Sequence, residues 1–232
     1  MVTATRKPTI GILAGMGPHS TGAFVELVVR ECELQYGATH DIDYPKMMVL
    51  SLPAPFYPDR PLDHVAMERA LREGLRDLAN SGCDFLAIAC NTAHVYHAQL
   101  ARYVDVPLLN MIELGAAAVP LNVRAVALVA ARPTCESGIY QDELLRRGVV
   151  PLKVMWQSDV DRLIGSVRLP AAERAVQWRT VVSRAVAAGA DVLLLACADL
   201  TAISGDLVAD CPVVDATRCL AEGVVAEWLR RQ

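Results

Sequence analysis

The chain has 232 residues, 53% of them hydrophobic, with a mean hydropathy of +0.31, enough apolar material for one large or two small domains with a substantial core. Its formal net charge is −4 with no basic cluster, which argues against a nucleic-acid partner. No apolar run approaches the ~20 residues a membrane span requires, and Met1–Pro8 lacks the apolar stretch of a secretory signal, so a cytoplasmic protein is expected.

In chain order, Thr9–Ala14 is fully apolar and reads as a buried strand. Ser20 or Thr21 caps a following helix that carries Phe24, Leu27 and Val28 on one face. Met47–Leu52 is a second strand, and the four prolines between Ser51 and Leu62 make a loop. Met67, Leu71, Leu75 and Leu78 recur at helical spacing within Asp63–Ser81, and Gly82 stops that helix. Asp84–Ala89 and Val106–Asn110 are the next two strands.

The second half predicts a strand at Ala125–Ala130, a helix over Ser137–Arg147 ended by Gly148, and a strand at Leu152–Met155. A long helix over Ala171–Ala188 ends at Gly189 and is followed by strands at Val192–Ala196 and Val213–Val214. A last helix covers Ala216–Leu229. Alternating helices and wholly apolar strands imply parallel sheets covered on both faces. Ligands of such sheets bind beyond the carboxyl ends of the strands, after Ala14, Leu52, Ala89, Ala130 and Ala196.

The two halves repeat one another. Gly82-Cys-Asp-Phe-Leu-Ala-Ile-Ala-Cys90 parallels Gly189-Ala-Asp-Val-Leu-Leu-Leu-Ala-Cys197, and Asp105-Val-Pro-Leu-Leu-Asn110 parallels Asp210-Cys-Pro-Val-Val-Asp215. A period of about a hundred residues marks a duplicated domain, since solenoid units are far shorter. The expected organisation is an N-terminal domain over 1–110, completed by a C-terminal helix at 214–232, and a second domain over 111–213.

Seven cysteines, with no CxxC pair, read as free thiols of a reducing compartment. A single cysteine ending a strand is commonly core filler. Cys90 and Cys197 stand at matched, site-forming strand ends, which suits a reaction that takes a proton from one face and returns it from the other. Cys32, Cys83, Cys135, Cys211 and Cys219 have no such pairing and read as filler or surface. His94 and His97 lie near Cys90, but nothing similar follows Cys197, so no metal site is expected. Asn91 and Thr92 offer donors beside the first thiol. The loop Ala14-Gly-Met-Gly-Pro18 is not a nucleotide fingerprint; its Met16 and Gly17 place backbone N–H groups where a small anion could approach.

Taken together, Ala14-Gly-Met-Gly-Pro18, Tyr57-Pro-Asp-Arg60 and Ala89-Cys-Asn-Thr-Ala-His94 resemble the aspartate/glutamate racemase family, closest to its aspartate racemase branch. Ser137-Gly-Ile-Tyr140 is similar to that family's SGxY segment. Two departures stand out: the usual GCTE motif reads Ala196-Cys-Ala-Asp199 here, and Arg168 replaces the usual lysine.

The resemblance implies two similar α/β domains related by a pseudo-two-fold, with the site in the cleft between them. It implies racemisation of an acidic amino acid, aspartate or glutamate, by a homodimer that needs no pyridoxal phosphate, metal or nucleotide. Without a cofactor to stabilise the α-carbanion, the work falls on placement and electrostatics. Cys90 and Cys197 would serve as the two bases. Asn91, Thr92 and Thr134 would hold the α-carboxylate, with Met16, Gly17 and Ala198 completing the binding set. Arg60 and Arg168 are candidates for the side-chain carboxylate. Rival readings are a related isomerase, hydantoin racemase or decarboxylase, and a non-catalytic dicarboxylate-binding protein. Two opposed thiols speak against the last, since a binder has no use for them.

Overall fold

The computed structural model describes residues 6–57, 61–206 and 208–232. In chain order the strands are β1 (Thr9–Ala14), β2 (Lys46–Ser51), β3 (Phe85–Ile88), β4 (Ala125–Ala130), β5 (Val150–Pro151), β6 (Val192–Ala196) and β7 (Val213–Asp215). The helices are α1 (Ser20–Tyr36), α2 (His64–Asn80), α3 (His97–Leu100), α4 (Met111–Ala117), α5 (Arg132–Glu136), α6 (Ile139–Arg146), α7 (Gln157–Gly165), α8 (Ala171–Ala187), α9 (Ala198–Ala202) and α10 (Ala216–Arg230). The class is α/β, with two parallel sheets flanked by helices.

Residue contacts divide the chain into two units. One comprises 1–89, 96–109 and 220–232, and the other 90–95 and 110–219. The first unit holds a sheet of order β2-β1-β3, the second a sheet of order β5-β4-β6-β7. In both, the first strand lies between the second and the third, so the sequence repeat is also a repeat of topology. The two central strands, β1 and β4, bury all or nearly all of their residues. That is why they read as unbroken apolar runs rather than alternating ones.

The matched Gly-x-Asp of the repeat is structural. Gly82 and Gly189 adopt φ of 80° and 95° just past α2 and α8, a conformation that favours glycine. Two residues on, Asp84 accepts the Thr9 N–H at 2.6 Å, and its own N–H reaches the Thr9 carbonyl at 2.8 Å. Asp191 does the same at β4, accepting the N–H groups of Arg124 (2.8 Å) and Ala125 (3.1 Å). Each aspartate thereby ties the third strand of its half to the start of the first.

The core of the first unit gathers Ile10, Ile12, Leu13, Phe24, Leu71, Leu75, Phe85 and Leu86, all buried. Trp228 of α10 donates to the Pro8 carbonyl at 3.0 Å. The core of the second unit is built around Trp156 and Trp178, packed with Val129, Val160, Leu163, Val181, Leu193 and Leu195. Both indoles find carbonyl acceptors, Leu128 at 3.0 Å and Val208 at 2.9 Å.

Four expectations are corrected. Val106–Asn110 makes a single bridge, Leu86 to Leu108, because Asn110 turns away to cap α4 by accepting the N–H groups of Ile112 and Glu113. The strand expected at Leu152–Met155 instead pairs at Val150–Pro151. Leu152 and Val154 are spent on packing against the core of the second unit. The helix expected over Ser137–Arg147 is α6 and starts later, at Ile139, because Gly138, at φ 74°, separates it from the short α5 that precedes it. Helix α7 was not expected. It buries Asp159, Val160 and Leu163 on one side, and Arg162 and Arg184 pair with the Asp159 carboxylate.

Candidate active site

Cys197 follows β6 directly, in extended backbone, and begins α9. Its carbonyl accepts the N–H groups of Leu200 (3.1 Å) and Thr201 (3.0 Å), which turns the chain sharply and leaves the thiol at the strand's carboxyl end. Cys90 follows β3 in the same way and precedes a short 3₁₀ turn over Thr92–Tyr96. Both cysteines belong to the second unit and are 9% and 8% exposed.

Burial pushes the Cys90 thiol up to about 11. The Ala93 and Thr92 N–H groups aimed at the sulfur oppose this, and the Asp199 carboxylate adds to it. Burial and then the Asp199 charge push Cys197 up to about 12, against the N–H groups of Leu200 and Asp199, and Cys90 itself raises it further. The Asp199 charge thus raises both thiols, and Cys90 adds the smallest part to the rise at Cys197. Ionising one thiol makes the other harder to ionise, so the pair holds one thiolate at most over a wide pH range. One base with one acid is the arrangement that takes a proton and supplies another.

The donors beside Cys90 are organised by contacts distant in sequence. Thr92 and Thr134, both buried, have their hydroxyl oxygens 2.8 Å apart. One donates to the other, which leaves the accepting hydroxyl with its own proton to give onward. Asn91 is 2% exposed, and the buried Tyr140 hydroxyl donates to its Oδ1 at 2.6 Å. The Asn91 Nδ2 group has no acceptor among the described residues. His94 Nδ1 donates to the Cys90 carbonyl at 2.8 Å, a loop-holding role as its position suggests.

Cys90, Asn91, Thr92, Thr134, Cys197 and Ala198 all fall in the second unit, and Ala198 is the buried first residue of α9. Arg168 is in the same unit but exposed, on the turn after α7. Met16 and Gly17 belong to the first unit, in the half-buried loop after β1. There the Gly17 carbonyl accepts the Ser20 hydroxyl at 2.8 Å and the Gly15 N–H donates to Thr21 at 3.1 Å. Arg60 lies outside the described residues. Among the described residues no group of three or more His, Cys, Asp or Glu side chains could hold a metal ion, and no helix is long and apolar enough to cross a membrane.

Two residues were not singled out from the sequence. Tyr140 was visible only as the last position of Ser137-Gly-Ile-Tyr140; its contact with Asn91 spans 49 positions. Asp199 was visible only as a shortened acid. Its effect on both thiols is a tertiary fact.

Known proteins resemble this chain along nearly its whole length. Over 226 residues the chain is 38% identical to the broad specificity amino-acid racemase RacX of Bacillus subtilis (strain 168), covering 96% of this chain and 99% of that one. Among solved structures, an aspartate racemase from Picrophilus torridus superposes with a TM-score of 0.78 at 25% identity, covering 95% of this chain and 94% of that one. A glutamate racemase from Bacillus anthracis superposes at 0.65 and 16% identity, covering 97% and 83%, a likeness of fold alone. The sequence profile described as Asp/Glu/Hydantoin racemase matches residues 13–224. A match over so much of the chain, joined to a relative of 38% identity along nearly the whole length of both, means that this chain belongs to the Asp/Glu/hydantoin racemase family.

Proposed function

We propose that the chain racemises an acidic amino acid, aspartate first and glutamate second, by proton transfer between Cys90 and Cys197 without a cofactor. The observation that carries this is the pair of buried thiols in one unit, each at the carboxyl end of a strand and each raised by the Asp199 charge. One cysteine, as thiolate, removes the α-proton. The carbanion flattens into an enediolate-like species, and the opposite thiol delivers its proton to the other face. Roles are then exchanged, and the reverse enantiomer uses the other order.

The α-carboxylate gains charge as the carbanion forms, so preorganised donors beside it act where charge develops. Asn91 Nδ2, with no protein acceptor, and the spare hydroxyl proton of the Thr92–Thr134 pair are suited to that. Arg168, and Arg60 with it, would take the side-chain carboxylate. Met16, Gly17 and Ala198 would contribute backbone. The homodimer and the cytoplasmic setting belong to this proposal through the family resemblance, and the seven cysteines, none in a disulfide, suit a reducing compartment.

A second reading is a wider substrate range. The 38% identical relative is named a broad specificity racemase, and Asp199 is shorter than the glutamate usual at its place. The test is a panel of L- and D-amino acids incubated in deuterated water with no cofactor added. Aspartate should lose optical purity and gain α-deuterium. A panel in which no amino acid exchanges its α-hydrogen would defeat the racemase reading, and exchange of neutral amino acids ahead of aspartate would favour the wider range.

A further inference from the structure

The Asp199 carboxylate bears on both thiols, and the reaction as described leaves it unused. It is the second residue of α9, two positions past Cys197. Its Oδ1 is buried and has no hydrogen-bond donor among the described residues. A buried carboxylate oxygen calls for a donor, because an unpaired one is costly. No ion pair among the described residues involves it. Arginines of the second unit pair with other acids, among them Arg124 with Asp191, Arg132 with Asp161, Arg146 with Glu143, Arg162 and Arg184 with Asp159, and Arg218 with Asp215.

An unneutralised anion at this place also opposes the chemistry, because it makes both thiols harder to ionise. A fixed negative charge beside two cysteines that must form thiolate becomes consistent with function only if a cation arrives with the ligand. Geometry restricts which cation. When a proton leaves one face of an α-carbon and returns to the other, the C–H axis runs between the two sulfurs. The ammonium, the carboxylate and the side chain then lie in the plane between them. The ammonium is bonded to the α-carbon itself, so it is the cationic group held close to both sulfurs at once. Asp199 is the acid whose charge reaches both.

We propose that Asp199 is the ammonium subsite, its Oδ1 accepting a charge-assisted hydrogen bond from the α-ammonium of the substrate. This rests on the racemase reading and extends it. The substrate class becomes α-amino acids recognised by a zwitterionic head, with Asn91 Nδ2 for the carboxylate and Asp199 for the ammonium. Binding also supplies the switch. The incoming cation offsets the Asp199 charge, so the thiols become easier to ionise when an amino acid is present and stay protonated when none is. A second acid at this position is repelled, which directs an acidic side chain away from α9.

The test compares Asp199→Asn with the parent enzyme by titration calorimetry, using aspartate and succinate, which differs from aspartate by lacking the ammonium. In the parent enzyme aspartate should bind more tightly than succinate. In the variant aspartate should weaken by roughly thirtyfold or more, the loss expected on removing one partner of a buried charge pair, while succinate holds or tightens. Iodoacetamide should also alkylate both cysteines faster in the variant, a response that a purely structural aspartate would not give.

If the parent enzyme binds neither ligand, the preference for an acidic side chain is wrong. Leucine and 4-methylpentanoate then make the same comparison, with the same discrimination expected. Equal weakening of both members of a pair, or unchanged affinity for the amino acid, would overturn the subsite. A variant that loses turnover while keeping both affinities would make Asp199 a proton relay for Cys197 instead.

Discussion

Replacing Tyr140 by Phe removes one oxygen and, with it, the hydrogen bond that restrains the Asn91 side chain among the described residues. The hydroxyl donates to Asn91 Oδ1 at 2.6 Å, with the tyrosine fully buried and the asparagine 2% exposed. Burial holds the phenol well above its ordinary value, so it remains a donor at any working pH. Without it, Oδ1 joins Nδ2 as an unpartnered buried atom, and leaving one such acceptor costs about 1–3 kcal/mol. For a chain of this length each kcal/mol lowers Tm by about 2–4 °C, so thermal melts followed by circular dichroism should show a fall of about 2–12 °C. The amide also loses the contact that decides which edge it presents. KM for aspartate should therefore rise about tenfold and kcat should fall with it, because the amide holds the carboxylate in the ground state and holds it more strongly as charge develops. Melting and racemisation kinetics on Tyr140→Phe, with Tyr140→Leu as a bulk control, measure both. An unchanged Tm together with an unchanged KM would refute the positioning role and would leave the orphaned Asn91 amide without a function.

The thiols titrate high, so Cys90, at about 11, is ionised to roughly one part in a thousand at pH 8, and iodoacetamide should alkylate it far more slowly than a free thiol at that pH. Above the ordinary thiol range only the unfolded chain loses these protons, so stability should fall with rising pH by up to about 1.4 kcal/mol per unit for each thiol until the folded values are passed; denaturant melts from pH 8 to 11 measure it, and a flat profile would contradict the burial. Cys90→Ser and Cys197→Ser should each nearly abolish net racemisation yet keep slow α-deuterium exchange, selective for opposite enantiomers, and full racemisation by Cys197→Ser would exclude a two-base reaction. Arg168→Ala should raise KM for aspartate about tenfold, less than for a buried pair because this guanidinium starts exposed, and should leave KM for leucine unchanged. Dialysis against a chelator should leave the rate intact, and loss restored by an added metal would overturn the cofactor-free reading.

Most of the strands and helices, the internal duplication and the matched pair of thiols are legible in the sequence. The physical reason is that these depend on local pattern. A strand buried on both faces of a parallel sheet must be apolar throughout, as Thr9–Ala14 and Val192–Ala196 are. A helix that stops in a left-handed turn selects glycine there, as at Gly82 and Gly189. Repetition of those signals located Cys90 and Cys197 before any contact was known.

What the tertiary structure decided depends on partners far away in the chain. The segment Leu152–Met155 has a strand's composition, but hydrogen bonds from β4 stop one residue into it, at Leu152, and its apolar side chains serve packing instead. The apolar run at Val106–Asn110 ends in a cap because Asn110 satisfies the first N–H groups of α4. The donors of the site are set across gaps of 42 and 49 residues, Thr134 to Thr92 and Tyr140 to Asn91. No spacing rule connects such pairs, since only the folded arrangement of the second unit brings α5 and α6 to the residues after Cys90. The same holds for Asp199: its position two residues past Cys197 is plain in the sequence, whereas the burial of its Oδ1, without a donor among the described residues, and its effect on both thiols follow from how the second unit folds around it.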